Sequence, residues 1–463
     1  MLPIGNWELG LATITHWQHS TRGLPAQGGL WYTTVMHCTA PLSSSTALAA
    51  AVFAALFAAA LPCAGDAPAH GGTRPRFAIV ASPETLTLPG WRAAADALAA
   101  KHSAETETET FAAVPTNSTG RLRAFRPRYA AFLMRPDEFD HETLVALKRM
   151  MRTIDDDPFD DAIWGIVTGP DHSTALRIAS SSSPRVVRSV LATTGVDENV
   201  ATGEVAVISD AFPKGRWWRK DAAGAVARHS ETGSLAHVFA DAWRTIDPEL
   251  VVTSSHATER NLEMPFSRGN IIARDGVFAA TPQVEWNGAA APLAQPRAEK
   301  VWIAPGNCLI ANHVDSQDMV MTALSFGRVN QFVGYTVPTW FGFAGWTAWR
   351  YFGAMGHSLS ESHYAACQWL ELRLMRGDFA DEREKEGLLW DRDATVFYGD
   401  PVQRVYTASA ETPPPEAAHA PPRLVVFPSA SDKRRLADAT GGWRIFEADD
   451  FALIFKPDSK PDR

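Results

Sequence analysis

The amino-acid sequence predicts an α/β protein with a mostly parallel central sheet and a small β appendage at its C-terminal end. Short apolar segments alternate with segments whose apolar residues recur at helical spacing, which is the pattern of a parallel α/β layer. A stretch rich in proline and alanine at 411–422 has the composition of a linker. The 463 residues, of which 46% are hydrophobic, are enough to bury a large core.

The first part of the chain is predicted to form an N-terminal α/β subdomain over 72–150. A Glu/Thr repeat at 105–110 is expected to be a loop or an edge strand. The predicted strands are 76–82 and 129–134, and the predicted helices are 90–101 and 140–153.

The same alternation continues over a larger subdomain, 151–410, in which 269–280 is compatible with a hairpin or a single wall strand. The strand at 329–337 is expected to be the last buried one. After the linker, strand-like residues at 423–427 and 443–455 predict the β appendage, 423–463. The other predicted strands of the larger subdomain are 162–169, 204–209, 248–256 and 299–308, and its helices are 173–180, 234–246 and 317–326.

The segment 1–70 is predicted to be a signal peptide region. An apolar run at 46–61 is shorter than the roughly 20 residues that usually span a bilayer, and small residues follow Cys63. The residues before Met36 look unlike a signal peptide or a domain, so translation is expected to begin at Met36. The alternative is an uncleaved membrane anchor. We therefore expect an exported protein that is periplasmic, at the cell surface or secreted, and that touches a membrane only through this segment.

The charge of the chain argues against a nucleic-acid partner. The net charge is −9 and the isoelectric point is about 5.9, so the protein has no general attraction for phosphate backbones. A short basic cluster at 214–220 is interpreted as a solvated turn.

Two predicted strands end in reactive side chains: strand 248–256 ends at His256 and strand 299–308 ends at Cys308. A free thiol has a pKa of about 8.5, so a cysteine nucleophile needs an imidazole to take or hold its proton. The carboxyl ends of adjacent parallel strands collect such groups at one edge of a sheet. Taken alone, Cys308 would more often be a small buried apolar residue. Cys367 lies in a segment with helical apolar spacing and is predicted to be a core residue.

Together these features resemble the gingipain-type cysteine peptidases of the caspase-like superfamily. The resemblance covers most of 76–406 and also rests on an acidic run at 155–161, on the strand with Gly165 that follows it, and on the Tyr-Gly-Asp-Pro turn at 398–401. It implies a caspase-like, three-layer sandwich around the central sheet. It makes 151–410 the catalytic subdomain.

The resemblance also implies roles for the two strand ends. Cys308 would attack the scissile carbonyl, and His256 would hold the thiol proton and later protonate the leaving amine. The N–H groups of Ala257 and Cys308 would stabilise the oxyanion. The family usually has glycine after the histidine, where this chain has Ala257, and it has arginine after the glycine of the acidic strand, where this chain has Ile166.

Further residues are expected to support this site. Gly306 and Asn307 would shape the turn that presents the thiol, and Glu259 or a carboxylate from another loop would orient His256. An aromatic stretch at 337–352 would line an apolar substrate cleft or else pack as core. The aromatic residues predicted for the cleft are Trp340, Phe341 and Trp346.

No cofactor is required by this chemistry, and no metal ligands are assigned. Calcium as a structural ion is one interpretation of the acidic run at 155–161, and a solvated acidic loop is the other. His313, Asp315 and Asp318 have oxygen and nitrogen atoms suited to a metal, but a helix N-terminus capped by Asp315 or Ser316 is the favoured interpretation.

The sequence therefore predicts an exported cysteine endopeptidase that acts on a protein or peptide substrate. The alternative from another class is a catalytically silent gingipain-like module for surface binding or assembly. Transpeptidation through the same acyl-enzyme is a third possibility.

Overall fold

The computed structural model describes residues 74–155, 158–282, 289–354 and 356–408, together with the backbone of three strands between 422 and 455. The predicted signal region, 1–70, lies outside the described residues. Within the described part, no helix combines the length and the apolar character needed to cross a membrane.

A twelve-stranded sheet lies at the centre of the fold, in the order β2-β1-β3-β4-β17-β16-β15-β10-β6-β7-β8-β9. Its strands are β1 (Arg76–Ala81), β2 (Glu107–Ala112), β3 (Tyr129–Leu133), β4 (Ile163–Val167), β6 (Val190–Ala192), β7 (Val205–Val207), β8 (Arg216–Lys220), β9 (Val226–Ser230), β10 (Leu250–Val252), β15 (Lys300–Ile303), β16 (Val329–Tyr335) and β17 (Thr395–Gly399). Smaller sheets contain β5 (Arg185–Val186) with β18 (Val405–Tyr406), and β11 (Asn261–Glu263), β12 (Asn270–Arg274), β13 (Val277–Thr281) and β14 (Ala291–Pro292).

Ten α-helices are described. They are α1 (Pro83–Thr87), α2 (Pro89–His102), α3 (Thr119–Phe125), α4 (His141–Met151), α5 (His172–Ala179), α6 (Leu235–Ile246), α7 (Met319–Leu324), α8 (Phe343–Gly353), α9 (Leu359–Arg376) and α10 (Glu382–Arg392).

The predicted fold class, a three-layer α/β structure with a mostly parallel central sheet, is confirmed. The pairs β16–β17, β7–β8 and β8–β9 are antiparallel and the other neighbouring strands are parallel. Alternate residues of β10 and β15 enter different cores: Trp302 packs in the core that contains Phe239 of α6, and Ile303 packs in the core that contains Phe352 of α8. Helices therefore cover both faces of the sheet where the two reactive strands lie.

The strands β2, β1, β3 and β4 form a block that joins the rest of the sheet through one residue pair, Tyr398 opposite Ile166. Within the block, β3 and β4 pair over their whole length. The predicted boundary between the two subdomains, at residues 150 and 151, lies in the segment of chain that connects β3 to β4, two strands that pair with each other.

Two sequence predictions were wrong in this sheet. The basic segment 214–220 is not a turn, because β8 pairs with both β7 and β9. Its polar residues find specific partners there: Trp217 stacks on His229 with ring centroids 4.1 Å apart, and Lys220 Nζ donates to the Ala201 carbonyl at 2.7 Å. The strand at 329–337 is not the last buried one, since β17 follows it in the chain and pairs with it.

Other predicted elements are confirmed with small shifts. The Glu/Thr repeat contributes the edge strand β2, whose Glu107 and Glu109 are exposed, and the opposite edge strand, β9, exposes Arg228. The segment 269–280 is the hairpin β12–β13. Beyond the linker, β19 (Pro422–Val426), β20 (Arg444–Glu447) and β21 (Phe451–Phe455) form an antiparallel sheet.

The Tyr-Gly-Asp-Pro turn anchors the end of β17 to the end of α2. Asp400 is completely buried, Lys101 Nζ donates to its Oδ2 at 2.7 Å, and His102 Nε2 lies 2.7 Å from the same oxygen. Burial alone would raise the pKa of the Asp400 carboxyl, but Lys101 and His102 outweigh burial and hold it well below its ordinary value. A carboxyl that is more acidic in the folded state stabilises the fold at neutral pH, and this contribution is lost as the pH falls through the folded value.

We expect Asp400→Asn to lower the free energy of unfolding by about 3 kcal/mol at neutral pH, because it leaves two donors facing a buried site without an anion. Urea unfolding measures the change. The difference between wild type and variant should narrow as the pH falls below about 4, where the unfolded carboxyl becomes protonated.

A matched control is Glu105→Gln, which removes an exposed partner of Arg404 at 3.2 Å. Its cost should stay below about 1 kcal/mol. Equal losses for the two variants, or a difference from wild type that does not change with pH, would contradict the role given to Asp400.

Candidate active site

The two reactive segments leave the sheet side by side. Strands β10 and β15 are adjacent and parallel, with Val252 opposite Ile303. Pairing continues one residue further, where Thr253 N donates to the Ile303 carbonyl at 3.0 Å. Both chains then run into loops at the same edge of the sheet.

The loops that carry His256 and Cys308 contact each other directly. The Asn307 side chain is completely buried, and its Nδ2 donates to the Ser255 carbonyl at 2.8 Å. A Cβ atom at Gly306 would collide with the Ser254 side chain, so the close approach requires glycine. The residues just before the imidazole and just before the thiol are thus in contact.

Cys308 is a free, partly buried thiol with one hydrogen-bond donor. Thr339 N donates to its Sγ at 3.1 Å, and Thr339 Oγ1 donates to the Asn307 carbonyl at 3.1 Å. Cys308 is thus anchored to the loop that follows β16.

The other described cysteine is sealed in the core, as the sequence predicted. Cys367 lies on α9 with 6% of its surface exposed, and its Sγ is 3.8 Å from His363 Nε2. Burial raises the pKa of the Cys367 thiol and lowers the pKa of the His363 imidazole, so neither group favours its charged form. This second cysteine–histidine pair is structural.

His256 is exposed at the rim of the site. Its carbonyl accepts from Glu263 N at 2.9 Å, but its ring has no hydrogen-bond partner, Cys308 included, among the described residues. The next residue, Ala257, is buried opposite Leu262 in an isolated bridge. Within the described ranges, the backbone N–H groups of Ala257 and Cys308 donate to no acceptor, so both are available to an incoming oxygen.

Glu259 lies elsewhere than predicted. Its Oε1 accepts from Asn312 Nδ2 at 3.1 Å and its carbonyl accepts from Met319 N at 2.7 Å, and no hydrogen bond joins it to His256 in the described structure. Glu259 therefore connects the His256 loop to the start of α7.

The aromatic stretch has both exposed and packed side chains. Trp340 is 72% exposed, one residue after the donor to the thiol, and Trp346 is 37% exposed beside the Gly306 backbone. Phe341 instead packs against Gly387 of α10 and stacks on Phe343. The first two residues are exposed close in sequence to Thr339 or beside Gly306, and the third packs between α8 and α10.

Two residues of helix α10, a helix that was not predicted from the sequence, hold the aromatic stretch in place. Asp391 is buried; its Oδ2 accepts from Tyr335 Oη at 2.9 Å and from Ala344 N at the start of α8 at 3.1 Å. Burial raises the pKa of the Asp391 carboxyl. On the same helix, Trp390 is 44% exposed and its Nε1 donates to the Pro338 carbonyl at 3.0 Å. Nothing in the charged sequence of α10 signals these contacts.

No protein-family model matches the chain, and no curated protein matches it. Two solved structures are similar to it. The first is the crystal structure of the Arg-specific cysteine proteinase gingipain R, which is 9% identical, covers 85% of this chain and 94% of its own, and has a TM-score of 0.45. The second is the complex of the pro- and mature domains of RgpB from Porphyromonas gingivalis, which is 9% identical, covers 82% and 93%, and has a TM-score of 0.46.

The chain is similar in fold to gingipain R. At this level of identity the likeness concerns the fold alone.

The described residues contain no group of three or more His, Cys, Asp or Glu side chains that suits a metal ion. Asp156 and Asp157 of the acidic run lie outside the described residues, so calcium stays a prediction. Asp160 of that run is buried beneath α9, where its carbonyl accepts from Tyr364 Oη at 2.9 Å.

The segment near His313 is a helix N-terminus, as predicted, but its cap was assigned to the wrong residue. Asp318, rather than Asp315 or Ser316, accepts from Met321 N at 2.7 Å, and its other oxygen lies 2.8 Å from His313 Nδ1. Asp315 pairs with Arg260 instead.

We expect Asn307→Ala to cost about 2 kcal/mol of stability, because it leaves the partly buried Ser255 carbonyl without its donor. Amide hydrogen exchange in the loops 254–257 and 305–309 should accelerate, while exchange in the preceding strands β10 and β15 stays unchanged.

Asn117→Ala is the control, because Asn117 is exposed and follows β2, the edge strand at the far end of the sheet from β10 and β15. Uniform acceleration throughout the sheet in the Asn307 variant would show that the residue supports the fold as a whole and not the contact between the loops.

Proposed function

We propose that the protein is an exported cysteine endopeptidase in which Cys308 is the nucleophile and His256 is the general base and acid. The contact between Asn307 and Ser255 supports the proposal, because it joins the loop that carries the partly buried thiol to the loop that carries the imidazole. Export rests on the apolar run at 46–61, which has the character of a signal peptide.

The reaction follows from these groups. The Cys308 sulfur attacks the carbonyl carbon of a peptide bond while His256 takes the thiol proton. When the C–N bond breaks, His256 returns that proton to the leaving amine, and a thioester remains. Water then gives a proton to His256 and adds to the thioester, which releases the new carboxyl group and restores the thiol.

Two backbone donors support the oxyanion of each step. The N–H groups of Ala257 and Cys308 are not used by other described residues. A donor of this kind contributes roughly 3 kcal/mol of transition-state stabilisation. Alanine supplies the same N–H as the glycine that the resemblance leads one to expect.

The exposed side chains of Trp340 and Trp346 suit a peptide substrate. Trp340 follows the donor to the thiol in the chain, Trp346 lies beside Gly306, and tryptophan gives a large apolar contact area with little loss of side-chain freedom. We therefore propose that apolar side chains near the scissile bond bind against these two rings.

A catalytically silent binding module is the second candidate. The observation that favours it is the His256 ring, which has no hydrogen bond to Cys308 in the described structure. Catalysis would require the exposed ring to turn toward the sulfur when substrate binds.

Hydrolysis of casein and labelling by a peptidyl epoxide separate the two candidates. We expect Cys308→Ala to abolish both signals and His256→Ala to lower hydrolysis at least about 100-fold, because the leaving amine loses its proton donor. Mass spectrometry identifies the labelled cysteine.

Cys367→Ala is the matched control and should retain labelling and hydrolysis, since Cys367 is buried away from the site. Hydrolysis that survives Cys308→Ala would rule out the proposed nucleophile. Wild-type protein that binds peptides but neither hydrolyses them nor reacts with the epoxide would favour the binding module.

A further inference from the structure

A cleft of about 300 Å³ lies between the hairpin β8–β9 and the loop that follows β6. This volume is at the lower end of the range for small-molecule sites, so the cleft suits a small ligand. The lining residues are Trp218, Val226 and Arg228 from the hairpin and Val196, Asp197, Glu198 and Asn199 from the loop.

The hairpin places a supported indole beside a guanidinium. Trp218 lies opposite Val207 of β7 on one side and opposite Arg228 of β9 on the other. Residues directly opposite each other in a pair of strands share one face of the sheet. Trp218 packs against the core that contains Phe352 of α8, so its ring has a firm backing.

The loop is held against the hairpin by a buried lysine. Lys220 Nζ donates to the Ala201 carbonyl at 2.7 Å and also to the carbonyl of Glu198. Within the loop, Asp197 Oδ1 accepts from Asn199 N at 2.7 Å. These bonds form the cleft in advance of any ligand, so little ordering remains to be done on binding.

The charges that line the cleft have both signs and are not paired with each other. Within the described ranges, the Arg228 guanidinium and the Glu198 carboxylate have no hydrogen-bond or ion-pair partner. By contrast, Arg219 of the same hairpin pairs with Glu204 at 2.7 Å on the other face. The cleft therefore offers a cation and two carboxylates to a ligand that carries both charges.

A free α-amino acid has this combination of groups. Its carboxylate can accept two parallel hydrogen bonds from Arg228, and its ammonium group can donate to Asp197 and Glu198. An apolar side chain can pack on the Trp218 ring. A ligand with a single positive charge would meet the charge of Arg228, and a ligand with a single negative charge would meet two carboxylates. We propose that this cleft binds a free α-amino acid with an apolar side chain.

The cleft is separate from the candidate active site. Trp218 lies in the same row of the sheet as Val252 of β10, through Val207 and Ala192. Three strand spacings of about 4.8 Å each separate β8 from β10. The amino-acid site therefore goes beyond the proposed peptidase function and does not depend on it.

The test is a titration of the full chain, labelled with ¹⁵N-tryptophan, with L-phenylalanine. Trp218→Phe identifies the indole resonance of Trp218. We expect this resonance to shift saturably with a dissociation constant of roughly 1 mM, because the charges are exposed. N-acetyl-L-phenylalanine lacks the ammonium group and L-phenylalanine amide lacks the carboxylate, so each should bind at least about fivefold more weakly.

Exposed residues supply the variants. Arg228→Gln should weaken binding of L-phenylalanine at least about fivefold and leave binding of the amide unchanged, because it removes the partner of the carboxylate. Asp197→Asn combined with Glu198→Gln should weaken L-phenylalanine and leave the acetylated analogue unchanged. Arg216→Gln is the matched control, since Arg216 is also exposed on β8 but does not line the cleft.

Equal affinities for the three ligands, or an unchanged affinity in Arg228→Gln, would overturn the proposal. A shift confined to the indoles of Trp340 and Trp346 would place the amino acid near Cys308 and would overturn it as well. Casein hydrolysis reports separately on the proposed function. A protein that fails to hydrolyse casein but binds L-phenylalanine as described loses only the peptidase assignment.

Discussion

The hydrogen bond from the buried Asn307 amide to the Ser255 carbonyl is the interaction on which the candidate site depends. Parallel pairing of β10 and β15 delivers both chains to one edge of the sheet, but pairing ends at Thr253 and Ile303. Two residues, Ser254 and Ser255, then lie between Thr253 and His256, and four residues, 304–307, lie between Ile303 and Cys308. Without a contact between the loops, that length would let the imidazole and the thiol diverge. The buried amide and the bare backbone of Gly306 prevent this.

A second set of contacts fixes the opposite wall of the site. Asp391 receives hydrogen bonds from Tyr335 of β16 and from the first turn of α8, so one carboxylate connects the sheet, α8 and α10. A Cβ atom at Gly345 would collide with the Pro305 carbonyl, which shows how closely α8 approaches the cysteine loop. The wall that carries Trp346 is therefore part of the rigid core and not a loose flap.

The sequence was informative where burial alone decides the structure. Strands such as Tyr129–Leu133 and Ile163–Val167 are apolar along their length, and the helices between them repeat apolar residues at helical spacing. The strands predicted to end at His256 and Cys308 are present but end earlier, at Val252 and Ile303, because each chain turns into a loop there. The sequence was uninformative where the structure of a segment depends on contacts with residues outside that segment. Strand β8 is made of arginine, tryptophan and lysine, and it is held by contacts with Ala201 and His229 that its own residues do not indicate. Helix α10 is too charged to predict as part of a site, and backbone donors such as Thr339 N leave no trace in an amino-acid sequence.

The two ends of the central sheet carry charges of opposite sign. Strand β2 exposes Glu107 and Glu109, and strand β9 exposes Arg228. An unpaired edge strand is a template on which another chain can add by backbone hydrogen bonding, and charged side chains oppose that addition. Two copies that met through the same edge would place like charges face to face. The long sheet can thus remain open at both sides without inviting stacked, fibre-like growth through identical edges.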